Sequence, residues 1–327
     1  MAKVIHFYQP GPPEVQCVED VVVADPGPGE VQVQVAAIGL NRSDLIFRSG
    51  HHPLKPRVPS GNGAEGAGVV ARLGPGVSGF AAGDAVSVVP HMDPGRGTYG
   101  ELINIPAPMV MASSSYLDTA GNAAFWASYL TAHGGLVNVA GLGAGDTVLI
   151  TAASSSVGLA AIQIANMVGA TAVAITRGAA KAERLCQAGA AHVLVMERDD
   201  IGAAVAEISG GKGARVVFDP VGGPATPVLA DAMAMRGIYV LYGSMSGEVT
   251  PFPVAAAFDK LLTMTIYRLD YVNRHEELER DRAFLDEGLA SGALRPMIDR
   301  VFPFAQVVEA HRYMASNEQF GKIVLGL

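Results

Sequence analysis

From Gly121 to about residue 265, short apolar runs alternate with stretches of helical composition, and this alternation limits the possible folds more than any other feature. Thr147-Val148-Leu149-Ile150-Thr151 suits a strand buried on both faces. Residues 158–168 follow, with Leu159, Ile162, Gln163 and Ala165 at near-helical spacing. Residues 172–175, 192–195, 215–219 and 237–241 read as further strands, and 180–188 as a helix. Strands joined through helices require a parallel sheet covered on both faces, so the expectation is an α/β, Rossmann-type doubly wound domain over 123–265. Residues 1–122 differ. Val31-Gln32-Val33-Gln34-Val35 alternates with period two, 67–71 and 85–89 are strand-like, and Pro26-Gly27-Pro28-Gly29 and Gly74-Pro75-Gly76 mark tight turns. This is a β-rich module, and 266–327 is expected to return to it, ending in the strand-like Lys322-Ile323-Val324-Leu325.

The 327 residues suffice for two domains with separate cores. A hydrophobic half and only 17% charged residues describe a globular chain. The net charge of −8 repels phosphate backbones, so nucleic acid is not an expected partner, and a phosphate-bearing cofactor would need a local basic pocket. Cys17 and Cys186 are too few for a disulfide framework, and with no secretory pattern the expected compartment is the cytosol. The apolar runs are too short and broken for a membrane span, so no membrane association is expected.

The first strand of the alternating region runs through Thr151-Ala152-Ala153-Ser154-Ser155-Ser156-Val157-Gly158 into a helix. A tight turn of small residues there turns backbone N–H groups and the positive end of the helix dipole toward a pyrophosphate. Against the G-x-G-x-x-G fingerprint the stretch reads Ala153-x-Ser155-x-x-Gly158 and keeps only the glycine that lets helix and sheet pack closely. The plain alternative is an ordinary strand–turn–helix. The second strand ends in Thr176-Arg177, with Lys181 four residues on and no acid for a ribose 2′-hydroxyl. Those bases suit a 2′-phosphate, pointing to NADPH over NADH; the alternative is a pair of solvated cations.

These residues, with Gly39-Leu40-Asn41-Arg42-Ser43-Asp44, Gly63-Ala64-Glu65-Gly66-Ala67-Gly68-Val69-Val70, Gly79-Phe80-Ala81-Ala82-Gly83-Asp84 and the closing Gly321-Lys322-Ile323-Val324-Leu325, resemble the medium-chain dehydrogenase/reductase superfamily in its quinone oxidoreductase-like branch. The resemblance covers essentially the whole chain. It implies a GroES-like catalytic domain split around a Rossmann domain, an active site in the cleft between them, and a homodimer. Zinc-dependent relatives have a cysteine where this chain has Asn41 and a histidine where it has Ala64. Neither residue is a usual zinc ligand, so no metal is expected.

The resemblance places Asn41 near the nicotinamide and substrate, where its amide is expected to hydrogen-bond a carbonyl oxygen, Thr131 against the nicotinamide amide, and Gly243 and Ser244 where the chain passes the nicotinamide end. As plain alternatives, Asn41 is a turn residue and Thr131 an ordinary helix residue. Where enoyl-reductase relatives carry a tyrosine after a loop glycine, this chain has His52, either the donor of a proton to the reduced carbon or a surface histidine. A family tyrosine after the third Rossmann strand is Met196 here. The expected activity is NADPH-dependent reduction of a small, apolar, conjugated substrate, a quinone or an α,β-unsaturated carbonyl. An enoyl-thioester reductase and a non-catalytic NADPH-binding sensor are the alternatives.

Overall fold

The computed structural model describes residues 1–91, 97–269 and 275–327. They form two compact units: Met1–Ala127 with Asp270–Arg280 and Pro296–Leu327, and Ser128–Leu269 with Asp281–Arg295. The division differs from the sequence-based boundaries in three places, the second unit running on to Leu269 past residue 265. The division also falls five residues beyond 122, inside a helix, and 281–295 groups with the second unit. The reason for the latter is specific bonding: Asn138 Nδ2 donates to the Asp281 carboxylate (2.9 Å), and Gln163 Nε2 and the Tyr129 hydroxyl donate to the Arg295 carbonyl (3.1 and 2.7 Å).

In chain order the first unit opens with β1 (Ala2–Phe7) and β2 (Gln16–Val21), an antiparallel pair. β3 (Glu30–Gly39), α1 (Arg42–Arg48), β4 (Glu65–Leu73), β5 (Ala85–Val88), β6 (Leu102–Pro106), β7 (Val110–Ala112) and α2 (Thr119–His133) follow. Val31, Val33 and Val35 enter the core as the period-two pattern requires. Gln32 departs from that pattern and is buried too, because its amide is satisfied by the Ala24 carbonyl (3.0 Å) and Asn104 Oδ1 (3.1 Å). The two glycine–proline turns interlock: a Cβ on Gly74 would fall 1.9 Å from the Gly27 carbonyl oxygen.

The second unit carries β8 (Thr147–Ile150), α3 (Ser156–Met167), β9 (Thr171–Thr176), α4 (Ala182–Gln187), β10 (His192–Val195), α5 (Ile201–Ile208), β11 (Ala214–Asp219), α6 (Thr226–Asp231), β12 (Met233–Leu241), α7 (Val254–Lys260) and β13 (Thr263–Ile266). Its strands are parallel, in the order β10-β9-β8-β11-β12-β13, the doubly wound arrangement whose direction reverses between β8 and β11. β8 is buried throughout, which is why its sequence is continuously apolar. α3 starts two residues earlier than its composition suggests because Ser155 caps it, and 179–181 is a 3-10 turn that α4 continues.

The chain ends with α8 (His275–Ser291), β14 (Ile298–Pro303), α9 (Val307–Ser316) and β15 (Lys322–Gly326). β14 and β15 complete the first unit's larger sheet, ordered β14-β15-β3-β4-β5-β7 with β6 also on β3.

Candidate functional site

In the second unit residues 153–158, Thr176, Arg177, Lys181, Gly243 and Ser244 lie at or after the carboxyl ends of β8, β9 and β12, whereas Thr131 lies on α2. After β8 the chain turns through Ala152, whose φ of +46° lies in the left-handed region. For a residue with a Cβ that conformation costs about 1–2 kcal/mol, strain of the kind that gathers at ligand-binding turns. Ala153 is buried beneath the turn. Ser155 has extended backbone, and its Oγ accepts the Gly158 N–H at 3.0 Å. One lone pair of Ser155 therefore caps the helix, and its proton faces the Tyr242 hydroxyl as one acceptor. The N–H groups of Ser156 and Val157, in the first turn of α3, have no acceptor within the helix. A Cβ on Gly158 would lie 2.6 Å from the Ala153 carbonyl oxygen and 2.7 Å from that of Ala152, so helix and turn meet at a distance only glycine permits.

Lys181 reaches this loop: its Nζ donates to Ser154 Oγ at 3.3 Å. Arg177 is exposed at the end of β9. Thr176 is bound otherwise than expected, its hydroxyl donating to the Gly178 carbonyl (3.1 Å) and shaping the turn. A small-residue cradle, a helix N-terminus and a cation, with no carboxylate after β9, fit a dinucleotide bearing an extra phosphate.

Sequence reasoning missed the group that builds the crevice. Asp219, at the end of β11, is buried; its Oδ1 accepts from the Thr151 hydroxyl and from the Val221 N–H (2.7 Å). Its Oδ2 accepts from the Tyr239 hydroxyl (2.8 Å) and the Gly222 N–H (3.0 Å). Asp219 thus ties the ends of β8 and β11 together where the strand order reverses. The available signal was an acid closing an apolar strand ahead of Pro220-Val221-Gly222-Gly223. Tyr242 stacks on Phe218 (centroids 4.1 Å apart), with its hydroxyl buried next to that of Ser155. Gly243 and Ser244 follow it, both exposed. Met196 packs partly buried against the sheet core.

In the first unit, Asn41 is the N-cap residue of α1 and more than a turn residue. Its N–H donates to Asp44 Oδ2 at 2.8 Å. Its Nδ2 donates to Glu65 Oε1 (3.1 Å) and more weakly to the Gly39 carbonyl (3.4 Å), while its Oδ1 accepts from Lys322 Nζ at 2.8 Å. Both amide N–H groups are therefore engaged within the protein. Lys322 and Glu65 are themselves bonded, and neither was singled out as a site residue from the sequence. Ala64, buried beside Glu65, offers no donor atom.

His52 is half-buried, with its ring edge-on to Phe47 (centroids 6.1 Å apart). Its Nδ1 accepts the Leu54 N–H at 3.1 Å, so the neutral ring carries its proton on Nε2. Thr131, half-buried on α2, lies just before a π-helical turn, Gly134–Val139. Beneath α1 runs a directed chain of hydrogen bonds. Arg48, which can only donate, meets His311 Nδ1; His311 Nε2 donates to the Tyr99 hydroxyl (3.0 Å), and that hydroxyl donates to Asp44 Oδ2 (3.1 Å). Burial pushes the Asp44 carboxyl up to about 7; burial, reinforced by Arg48, holds His311 down to about 3.

A family model described as the alcohol dehydrogenase GroES-like domain matches residues 27–139, and one described as zinc-binding dehydrogenase matches 188–325. Quinone oxidoreductase 1 of Escherichia coli (strain K12) is 32% identical over 99% of both chains. A 2-haloacrylate reductase from Burkholderia sp is 31% identical over 99% of this chain and 98% of its own. The crystal structure of Escherichia coli quinone oxidoreductase complexed with NADPH superposes with a TM-score of 0.91 at 32% identity, covering 100% of both chains. Asn41 and Ala64, which the family resemblance sets against zinc ligands, are residues unsuited to the metal. The chain is therefore an oxidoreductase that belongs to the medium-chain dehydrogenase/reductase superfamily, in its zinc-independent quinone oxidoreductase-like branch.

Proposed function

We propose that the protein is an NADPH-dependent reductase whose acceptor is a small conjugated carbonyl compound, either a quinone or an α,β-unsaturated carbonyl. The observation that carries the cofactor assignment is the contact of Lys181 Nζ with Ser154 Oγ, which brings a cation into the loop at the N-terminus of α3. A 2′-phosphate is doubly charged near neutrality, and a cation with hydroxyl donors around it recognises that group where a carboxylate would repel it. The acceptor class is supported by the relatives, quinone oxidoreductases and a reductase of a haloacrylate, whose named substrates are all conjugated.

When bound, NADPH supplies a hydride. The chain's own residues do the rest. The loop from Ala153 to Gly158 holds the pyrophosphate through backbone N–H groups and the Ser155 hydroxyl. Gly243 and Ser244 would border the nicotinamide end of the bound cofactor, and Thr131 would contact its amide. Asn41 is the polar group that the family resemblance assigns to the substrate, with its amide N–H groups already held within the first unit. His52, neutral with its proton on Nε2, can donate a hydrogen bond to the acceptor, while solvent supplies the proton that the reduced carbon or oxygen takes up. Two copies associate through the edge of the parallel sheet. Among the described residues β13 pairs only with β12, and Ile266 on β13 and Phe258 on α7 are 79% and 85% exposed.

The deciding experiment is anaerobic NADPH oxidation with 1,4-benzoquinone and with an aliphatic enone in parallel, with identification of products. Consumption of either acceptor supports the reading and selects the substrate class. NADPH binding with neither acceptor consumed overturns it.

A further inference from the structure

Three adjacent strands bring three distant residues together. β15 pairs antiparallel with β3, Val324 opposite Gly39, which sets Lys322 across from Asn41 just past the ladder's end. On the other side of β3, Glu65 is opposite Gly39. Gly39 keeps the space between them: a Cβ there would lie 2.9 Å from both Lys322 Cε and Glu65 Oε1, and 2.0 Å from the Ala123 carbonyl oxygen. Glu65 Oε2 accepts the Ala127 N–H at 2.9 Å, so the same carboxylate is anchored to α2.

The Lys322 and Glu65 side chains are each only 1% exposed. A buried ion pair is a poor device for stability, because desolvation offsets most of its attraction and apolar residues of similar volume do as well. It is a good device for orientation. The two ends of an asparagine amide have nearly the same shape and differ only in hydrogen bonding. An ammonium only donates and a carboxylate only accepts, so this pair admits a single orientation of the Asn41 amide, oxygen to Lys322 and nitrogen to Glu65.

We propose that Glu65 and Lys322 are positioning residues for Asn41, holding its amide in one orientation at the centre where hydride is transferred. The inference rests on the reductase reading for its catalytic consequence; the orientation itself stands on the hydrogen bonds alone.

Removing one charge leaves the other buried and unpaired, and such a variant can fail to fold. The informative protein is the double variant Glu65→Gln with Lys322→Met, in which no charge remains. The Ala127 N–H keeps the oxygen of a glutamine at that position, so its NH2 faces Asn41 and favours the inverted amide, with the Asn41 oxygen toward that glutamine. The expected result is a folded protein by circular dichroism, with NADPH affinity within about threefold of wild type and kcat lower by about tenfold to a hundredfold, the scale of a misplaced catalytic group. The side-chain amide resonances of Asn41, assigned by their loss in Asn41→Ala, should be protected from hydrogen exchange in the wild type and should shift and lose protection in the double variant. A folded double variant with kcat within about twofold of wild type and an unchanged Asn41 amide overturns the proposal. Should the double variant not fold, wild-type exchange decides: an Asn41 amide exchanging as fast as a solvated one also overturns it. If the wild type reduces neither acceptor, the reductase reading fails, while the amide resonances still judge the orientation.

Discussion

At the scale of single residues, close approach and burial give two sharp expectations. Gly158→Ala drives a Cβ into the Ala152 and Ala153 carbonyls. Overpacking of this kind costs about 1–3 kcal/mol, and because it distorts the phosphate-binding turn it should weaken NADPH binding as well. Thermal denaturation with a fluorescence titration checks both, and unchanged affinity in a folded variant counts against the loop assignment. The second concerns Asp44, whose carboxyl sits at about 7 in the fold against 3.8 ordinarily. The folded state binds this proton more tightly than the unfolded chain, so the contribution is full below about pH 4 and is lost as pH rises toward 7. His311 acts in the opposite direction: held at about 3 against 6.5, it withdraws stability as pH falls from about 6.5. Asp44→Asn keeps an oxygen for the Tyr99 and Asn41 donors, both of which meet Oδ2, and puts an NH2 at the unpartnered Oδ1. The stability difference between wild type and this variant, from urea midpoints, should shift against the wild type between about pH 4 and 7; a pH-independent difference refutes the assignment.

At the scale of elements, the cofactor preference depends on how the 3-10 turn ahead of α4 sits on the loop ahead of α3. That turn ends at Lys181, which puts a cation on the β8–α3 loop from the neighbouring β–α connection. Lys181→Ala should raise the Kd for NADPH about tenfold or more, the size of one hydrogen bond to a charged group, and leave the Kd for NADH nearly unchanged. Equal losses for both cofactors would mean that the lysine supports the loop without reading the 2′-phosphate. Asp219 acts at the same scale, closing β8 against β11 through Thr151 and shaping the turn that follows through Val221 and Gly222.

At the scale of the whole molecule, the chain is strongly acidic, yet its cofactor loop draws a lysine to itself, which confines phosphate recognition to one place. The β13 edge carries Ile266, with Phe258 and Leu261 nearby in sequence, all exposed. An apolar open edge of this kind suits a second copy of the chain, the partner proposed for it. Light scattering should give twice the chain mass for the wild type, and Phe258→Glu with Ile266→Lys should reduce it to one chain. A wild type of single-chain mass would refute the dimer.

What could be read in the sequence was whatever burial and local period encode. The parallel strands were visible because a strand buried on both faces must be apolar along its length, as β8 is. The cofactor loop was visible by position, small residues between such a strand and a helix, even with one fingerprint glycine left. Asn41 was reached through resemblance, but its environment could not be. Lys322 lies 281 residues from Asn41 and 257 from Glu65, and nothing local in Gly-Lys-Ile-Val-Leu states that its ammonium is buried. Pairing of β15, β3 and β4 decided that. Sequence determines which segments must leave water and with what period, because those preferences act residue by residue. Which buried donor meets which acceptor is decided only when the sheet sets its register, because a hydrogen bond depends on the position of both partners.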